Sequence, residues 1–204
     1  MRVWSAGGGT ILPQVDFGGE QHGGEQVGDE MTVIDALVAA NRAYALGFPG
    51  PMPTPPAHHL AVVSCMDSRI DLFASLGLHL GEAHIIRNAG GVVTDDVIRS
   101  LTISQRELGT REIALIHHTD CGLLLFTDDS FSEQLAQEVG MKPSWPIEAF
   151  TDPFISVRRS ITRVRRNAFI PHTDVVRGFV FDVATGLLEE VLPEGVVPGE
   201  SRVG

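Results

Sequence analysis

The sequence has little positive charge and no long apolar run. Its 15 Lys and Arg residues stand against 26 Asp and Glu residues, which gives a formal net charge of −11. Binding to nucleic acids or to anionic membranes is disfavoured, because both need clustered positive potential. No run approaches the roughly 20 apolar residues of a membrane span, and the N-terminus lacks the basic start and apolar core of a secretory signal. These absences predict a cytoplasmic protein with no nucleic-acid or membrane partner.

Cysteine is also scarce, with only Cys65 and Cys121 in the chain. Two cysteines could form one disulfide, but a reducing compartment favours metal binding or catalysis as their use. Their surroundings in the sequence have to decide between these uses.

The chain has 204 residues, enough for one globular domain with a proper core. Residues 1–30 are rich in glycine and acidic residues and have little periodic apolar pattern, so they are predicted to be a disordered extension. Residues 31–204 are predicted to form a single catalytic domain. It begins with a helical arm from residue 31, followed by a proline-rich extended linker at residues 48–59.

From residue 60 onward, short apolar runs alternate with helical patterns. This βαβ rhythm predicts an α/β fold with a mostly parallel central sheet flanked by helices. A helix is predicted to begin after Thr94, whose side chain can cap the first turn. The final pattern, at residues 175–192, predicts a hairpin with its turn at residues 184–186. The expected sheet therefore has about four parallel strands and an antiparallel edge strand.

Metal-competent residues stand at the ends of two predicted strands. Cys65 ends LAVVSC, His118 ends EIALIHH, and Cys121 follows His118 by three residues. Because functional residues of open α/β sheets gather at the carboxyl ends of the strands, the three side chains are expected to converge. Two thiolates and an imidazole suit Zn²⁺, and a shell of three protein ligands with one open place is typical of catalytic zinc.

Asp67 and Arg69 come two and four residues after Cys65 and are expected to affect the fourth coordination position of the metal. Asp67 could bind the metal as a fourth ligand in a closed state, or it could hold a metal-bound water. A bidentate pair with Arg69 would keep Asp67 ionised and away from the metal. His117 is predicted to point to the opposite face of its strand from His118 and is interpreted as a core or interface histidine.

Two spaced motifs, CMDSR (65–69) and HTDCG (118–122), resemble those of the β-class carbonic anhydrases. The stretch RNAGG (87–91) is similar to that family's loop beside the metal, and the similarity runs from about residue 31 to about 193. Two motifs in the right order, each at a predicted strand end, are far more specific than either alone. The chain is therefore identified as a member of this family.

The resemblance implies one zinc ion per subunit, bound by Cys65, His118 and Cys121. It also implies that Asp67 and Arg69 act as a catalytic dyad controlling the fourth position, and that the chain forms a homodimer or homotetramer. The implied activity is that of a carbonate dehydratase, a zinc lyase, in which hydroxide supplied by zinc converts carbon dioxide reversibly to bicarbonate.

The glycines at 90 and 91 let the backbone of the predicted substrate-pocket loop come close, and their N–H groups could face an oxyanion or Asp67. His117 and Leu123 stand where many family members have glycine. These departures resemble a compact bacterial subgroup that also contains carbonyl sulfide hydrolases. Hydrolysis of carbonyl sulfide to hydrogen sulfide and carbon dioxide is therefore the alternative function.

Two more distant alternatives have weaker support. Cys65 as a phosphatase or sulfurtransferase nucleophile would need a longer loop of amides between the thiolate and Arg69. A non-enzymatic alternative is a structural zinc domain, or a binding module that uses the arginine-rich run at residues 158–166. Such a run is more often a solvated helix face, and the acidic remainder of the chain offsets its charge.

Overall fold

The computed structural model of the chain describes residues 31–192. The predicted disordered extension at residues 1–30 lies outside this range. The chain divides into two units, Met1–Pro51 and Met52–Gly204, and each is described by itself.

The described part of the first unit is mainly one helix, α1 (Val33–Ala45). It begins after Thr32, whose side-chain oxygen accepts a hydrogen bond from the Asp35 N–H at 3.2 Å. In return the Asp35 carboxylate accepts one from the Thr32 N–H at 2.8 Å, which completes a capping box. None of the residues of α1 is buried. The helical arm predicted from the sequence is therefore present, with its apolar side chains exposed.

The second unit is built on one five-stranded sheet. Its strands are β1 (Leu60–Cys65), β2 (Ala83–Asn88), β3 (Glu112–His118), β4 (Val176–Phe181) and β5 (Leu188–Val191). Their order in the sheet is β2-β1-β3-β4-β5. The first four strands are parallel, and β5 pairs with β4 in the antiparallel direction. The fold class expected from the sequence is confirmed, including its antiparallel edge strand.

Four helices belong to this unit: α2 (Leu72–Leu76), α3 (Asp95–Arg106), α4 (Asp128–Val139) and α5 (Pro153–Arg165). Thr94 caps α3, as its position in the sequence predicts, and accepts a hydrogen bond from the Val97 N–H at 3.3 Å. One turn of 3₁₀ helix follows β2 at Ala89–Gly91, and another follows β3 at Gly122–Leu124. These two turns lie directly beside the candidate site.

Apolar side chains cover both faces of the sheet, as parallel strands require. One cluster joins β1 and β3 to α3 and α5 and includes Leu101 and Val157. Gly178 in β4 leaves room for this packing, because an added Cβ would overlap Val157. The second cluster contains Cys65 and Cys121 together with Ile116. The candidate metal ligands are thus part of the core.

The arginine-rich run lies in and just after α5, and three of its side chains contact the chain itself. Arg163 pairs with Glu148 at 3.0 Å and with Asp95 at 2.7 Å. Arg158 and Arg165 donate to the backbone carbonyls of residues 192 and 176. These contacts tie α5 to its neighbours.

Within residues 31–192, no helix has both the length and the apolar character that a bilayer crossing needs.

Candidate metal centre

The site lies where β1 and β3 end. These strands are adjacent and parallel, and Ser64 is paired with Ile116, so their carboxyl ends meet at one edge of the sheet. Residues 65–69, called here the first motif, continue from β1. Residues 118–121, called the second motif, continue from β3. The strand pairing therefore brings together two segments that are about 50 residues apart in the sequence.

Cys65, His118 and Cys121 form a compact group of possible metal ligands. One ligand atom from each residue lies within 4.8 Å of the others. All three residues are buried, and both cysteines are free of disulfide bonds. The structure thus brings together the three residues that the sequence predicts to converge.

The His118 ring is oriented for metal binding. Its Nδ1 lies 2.8 Å from the carbonyl oxygen of Thr119, so this nitrogen donates and leaves the lone pair on Nε2. The Nε2 atom is buried and has no hydrogen-bond partner among the described residues. A buried nitrogen without a partner is costly unless something binds it. A carbonyl that fixes the other ring nitrogen is the usual support of a metal-binding histidine.

The two thiols shift each other's pKa in opposite directions. A hydrogen bond from Cys121 is the main reason why the pKa of Cys65 falls to about 4, and the amides of Asp67 and Gly90 lower it further. The same contact raises the pKa of Cys121. Burial lowers the pKa of His118, but the neighbouring Cys65 thiolate outweighs this effect and raises that pKa. Two thiolates with an imidazole fit Zn²⁺, and a bound divalent cation would displace the protons of these groups.

Asp67 and Arg69 form a two-point pair. Arg69 donates from Nε to Asp67 Oδ1 at 3.0 Å and from its Nη2 to Asp67 Oδ2 at 2.7 Å. This pairing is the main reason why the pKa of Asp67 lies well below its usual range. The Oδ2 atom of Asp67 is also only 3.8 Å from His118 Nε2. The carboxylate is therefore ionised, held by Arg69, and next to the metal-competent group.

Arg69 also contacts the second motif. Its Nη1 donates to Asp120 Oδ2 at 2.7 Å, and its Nη2 donates to the Asp120 carbonyl oxygen at 2.8 Å. Asp120 is not among the site residues predicted from the sequence. Its place inside HTDCG was the one available signal, because contacts between charges far apart in sequence cannot be inferred from spacing.

Arg87, at the end of β2, holds the backbone of the first motif. Its Nε donates to the Cys65 carbonyl at 2.8 Å, and its Nη2 donates to the Asp67 carbonyl at 2.6 Å. From the sequence, Arg87 is recognised only as the first residue of RNAGG. Its contacts show that this stretch supports the first motif from the neighbouring strand.

Gly90 and Gly91 bring their backbone against both motifs. A Cβ on Gly91 would lie 2.8 Å from the Cys65 nitrogen and 2.9 Å from the Ile116 oxygen. Gly91 also has a φ of +68°, which other residues adopt at a cost. A hydrogen bond from the Gly90 amide lowers the pKa of Cys65, so this N–H is directed at the Cys65 sulfur. The partner predicted from the sequence for these N–H groups, an oxyanion or Asp67, stays a prediction.

His117 is completely buried, and neither ring nitrogen has a hydrogen-bond partner among the described residues. Its ring lies 5.4 Å from that of Phe150. Burial lowers the pKa of His117 to about 4, so the ring is neutral at physiological pH. His117 does not belong to the group of three possible ligands.

Sequence comparisons place this geometry among known proteins. Residues 60–145 match the family model described as carbonic anhydrase. The β-carbonic anhydrase 1 of Mycobacterium tuberculosis is 57% identical over 163 residues, which is 80% of this chain and 100% of that protein. A carbon disulfide hydrolase of Acidianus is 42% identical over 105 residues, covering 52% of this chain and 50% of that protein.

Solved structures give the same grouping. The carbonic anhydrase of Streptococcus mutans is 44% identical, with a TM-score of 0.75, and the match covers 79% of this chain and 99% of that chain. A carbon disulfide hydrolase solved in its apo form is 30% identical, with a TM-score of 0.61, and covers 82% of this chain and 93% of that one. Sequence and structure comparisons thus both match this chain to carbonic anhydrases and to carbon disulfide hydrolases.

Proposed function

Because the chain belongs to the β-class carbonic anhydrase family, we propose that it hydrates carbon dioxide reversibly to bicarbonate and a proton. Zinc would be held by Cys65, His118 and Cys121. The observation that carries the proposal is the buried Cys-His-Cys group, in which His118 Nε2 has no partner among residues 31–192. Identity of 57% across the whole length of a β-carbonic anhydrase supports it.

Zinc, when bound, would lower the pKa of water to about 7 and so supply hydroxide at neutral pH. The protein's own contribution lies in the dyad. Asp67, kept ionised by Arg69, is an acceptor of hydrogen bonds only, and in this role it would orient the attacking oxygen. Both carboxylate oxygens of Asp67 are already held by Arg69. This hold favours the open state of the site over the closed state in which Asp67 is a fourth ligand.

The proposal is tested by metal analysis and carbon dioxide hydration on the wild type and on Cys121→Ala. We expect about one zinc per wild-type subunit. Losing one of three ligands should lower zinc affinity by more than the 10- to 100-fold typical of an outer-shell change, and activity should fall to background. Circular dichroism checks that the variant keeps its fold. A zinc-free wild type that hydrates carbon dioxide would refute the metal site.

Carbonyl sulfide is the second candidate substrate. It has the same linear, electrophilic carbon, and its hydrolysis with one water gives carbon dioxide and hydrogen sulfide. The observation that favours a sulfur-containing substrate is the group of relatives named carbon disulfide hydrolase. We expect carbon dioxide to be turned over faster, since the longer and closer match is to a carbonic anhydrase. Rates for carbon dioxide, carbonyl sulfide and carbon disulfide on one zinc-loaded preparation decide, and faster turnover of either sulfur compound would reverse the assignment.

We further propose that the chain is at least a homodimer. The apolar side chains of α1, among them Ile34 and Leu37, are 69% and 63% exposed. An exposed apolar helix face of this kind is typical of an interaction surface, and a second copy of the chain is the partner that the family implies. Light scattering after size exclusion should give a dimer or tetramer. Ile34→Asp combined with Leu37→Asp should lower that mass, and a monomeric wild type would contradict the proposal.

A further inference from the structure

The Arg69 side chain donates hydrogen bonds to two aspartates that belong to different motifs. Asp67 of the first motif accepts two hydrogen bonds from its side chain, and Asp120 of the second motif accepts two more. Asp120 uses both its side chain and its main-chain carbonyl. The guanidinium therefore joins the two motifs.

Asp120 has a backbone that suits this role. Its φ is +53°, in the left-handed region that Asp and Asn enter more readily than most residues. This conformation occurs one residue before Cys121 and presents the carbonyl and the carboxylate of Asp120 to the same guanidinium. One residue thus supplies two acceptors at fixed positions.

A second anchor matters because Arg69 is only partly buried. Its side chain is 46% exposed, so a guanidinium held by Asp67 alone would be free to swing into solvent together with that carboxylate. Fixing the plane of the guanidinium from the Asp120 side keeps its Nε and Nη2 directed at Asp67. The position of Asp67 then depends on a residue that does not touch it.

We propose that Asp120 is a positioning residue, and that it keeps Asp67 paired with Arg69 and away from the metal. The proposal rests on the proposed zinc site. Without the Asp120 carboxylate, Arg69 loses an anchor, and Asp67 occupies the fourth metal position in a larger fraction of molecules. That closed fraction lowers the apparent affinity of any ligand that needs the open position.

The decisive variant is Asp120→Gly. Glycine adopts the left-handed backbone without strain and keeps the main-chain carbonyl, so it removes only the carboxylate. Asp120→Asn is the conservative partner, because it keeps an acceptor oxygen and tolerates the same backbone. Glu148→Gly is the matched control. Glu148 also has a positive φ, +63°, and pairs with Arg163, far from both motifs in the sequence.

The measurement is azide binding to the cobalt(II)-substituted holoenzyme, followed by the visible absorption of cobalt. Azide needs the open fourth position, so its apparent affinity reports the open fraction. We expect Asp120→Gly to weaken azide binding about threefold to fivefold, the effect that an exposed charge pair supports. The kcat/KM for hydration should fall by the same factor. Asp120→Asn should recover most of the loss, and Glu148→Gly should match the wild type.

A double-mutant cycle identifies the route of the effect. In an Arg69→Ala background, Asp120→Gly should have no further effect on azide binding, because the residue through which it acts is gone. Equal effects in both backgrounds, or unchanged azide affinity in Asp120→Gly, would overturn the proposal. The azide readout needs no carbon dioxide hydration, so a failure of the proposed activity would be visible separately in the wild-type turnover.

Discussion

Charged side chains make most of the hydrogen bonds to the first motif, whereas the second motif combines two bonds from Arg69 with bonds to the end of β4 and to the turn between β4 and β5. Arg69 and Arg87 together donate four of their hydrogen bonds to residues 65–67. In the second motif, the Thr119 N–H donates to the Phe181 carbonyl at 2.9 Å. The Thr119 hydroxyl accepts from the Val183 N–H at 3.1 Å.

This difference assigns separate tasks to the two motifs. The second motif supplies two of the three possible ligands, and the Thr119 N–H continues the pairing of β3 with β4 into it. Side-chain charges can exchange partners without disturbing a strand, and they hold Asp67, the group proposed to free or fill the fourth metal position. A stable ligand group and an adjustable carboxylate can therefore coexist at one sheet edge. Three variants, described from the largest expected effect to the smallest, would break or sharpen this comparison.

Gly91→Ala should have the largest effect, because Gly91 packs against the strands that carry both motifs. The new Cβ would lie 2.8 Å from the Cys65 nitrogen and 2.9 Å from the Ile116 oxygen, and neither backbone atom can move aside easily. We expect the free energy of unfolding to fall by about 3 kcal/mol, from overpacking and backbone strain together. Urea denaturation of the zinc-loaded protein measures this loss, and zinc affinity should fall with it.

Gly186→Ala is the matched control for Gly91→Ala. Gly186 has a similar φ of +75°, but an added Cβ would meet no atom within 4 Å. Its substitution should cost only the left-handed strain, about 1 kcal/mol. Equal losses in the two variants would mean that the close approach of Gly91 to both strands is unimportant.

Arg69→Ala should act mainly through Asp67 of the first motif, although Asp120 of the second motif also loses its guanidinium partner. Asp67 would lose the partner that mainly keeps its pKa low, and it would turn toward the metal. We expect kcat/KM to fall about tenfold to hundredfold, the value of a hydrogen-bonded charge pair at a site. Zinc content should remain at one per subunit because the ligands are untouched. Stopped-flow kinetics of carbon dioxide hydration measure kcat/KM, and metal analysis measures the zinc content.

Arg99→Ala provides the control, since Arg99 also pairs with a nearby carboxylate, Asp96 at 2.8 Å, but lies on α3. Its activity should equal that of the wild type. Full activity of Arg69→Ala, or loss of zinc from it, would show that the two motifs do not divide their tasks in this way.

The fold could be predicted from the sequence because periodicity is a local property. The apolar runs that became β1 and β3, and the capped helix that became α3, carry their signal within a few residues. Parallel strand ends meet at one sheet edge, so the convergence of Cys65, His118 and Cys121 also follows from local patterns. Ligands at the ends of neighbouring parallel strands can therefore be predicted to converge once the order of the strands is known.

The remaining parts of the site depend on contacts that no local pattern encodes. Arg87 and Cys65 are 22 residues apart, and Arg69 and Asp120 are 51 apart. Which carboxylate a guanidinium reaches depends on loop geometry at the scale of single ångströms. The same holds for the Gly90 N–H, which approaches the Cys65 sulfur. Support of the ligands was therefore much harder to predict than the ligands themselves.

Asp182→Asn should have the smallest effect and tests whether the second motif depends on charge. The Asp182 carboxylate accepts a hydrogen bond from the Ala184 N–H at 2.8 Å, which is the main reason why its pKa is lowered. It also lies 3.5 Å from the Thr119 hydroxyl. A carboxyl whose pKa is lower in the folded than in the unfolded state stabilises the protein above its unfolded pKa of about 3.9. That stability is lost as the pH falls through the folded pKa.

Asparagine keeps the acceptor oxygen but not the charge, so the wild type should be slightly more stable than Asp182→Asn at pH 7. The two should converge once the pH falls below the lowered pKa of folded Asp182, where the carboxyl of the wild type is protonated as well. Urea midpoints measured across this pH range test the sign. Zinc affinity and turnover at pH 7 should not change, because Asp182 reaches the second motif through Thr119 and the backbone of the turn. A loss of zinc in this variant would mean that charge holds both motifs, and the contrast between them would fail.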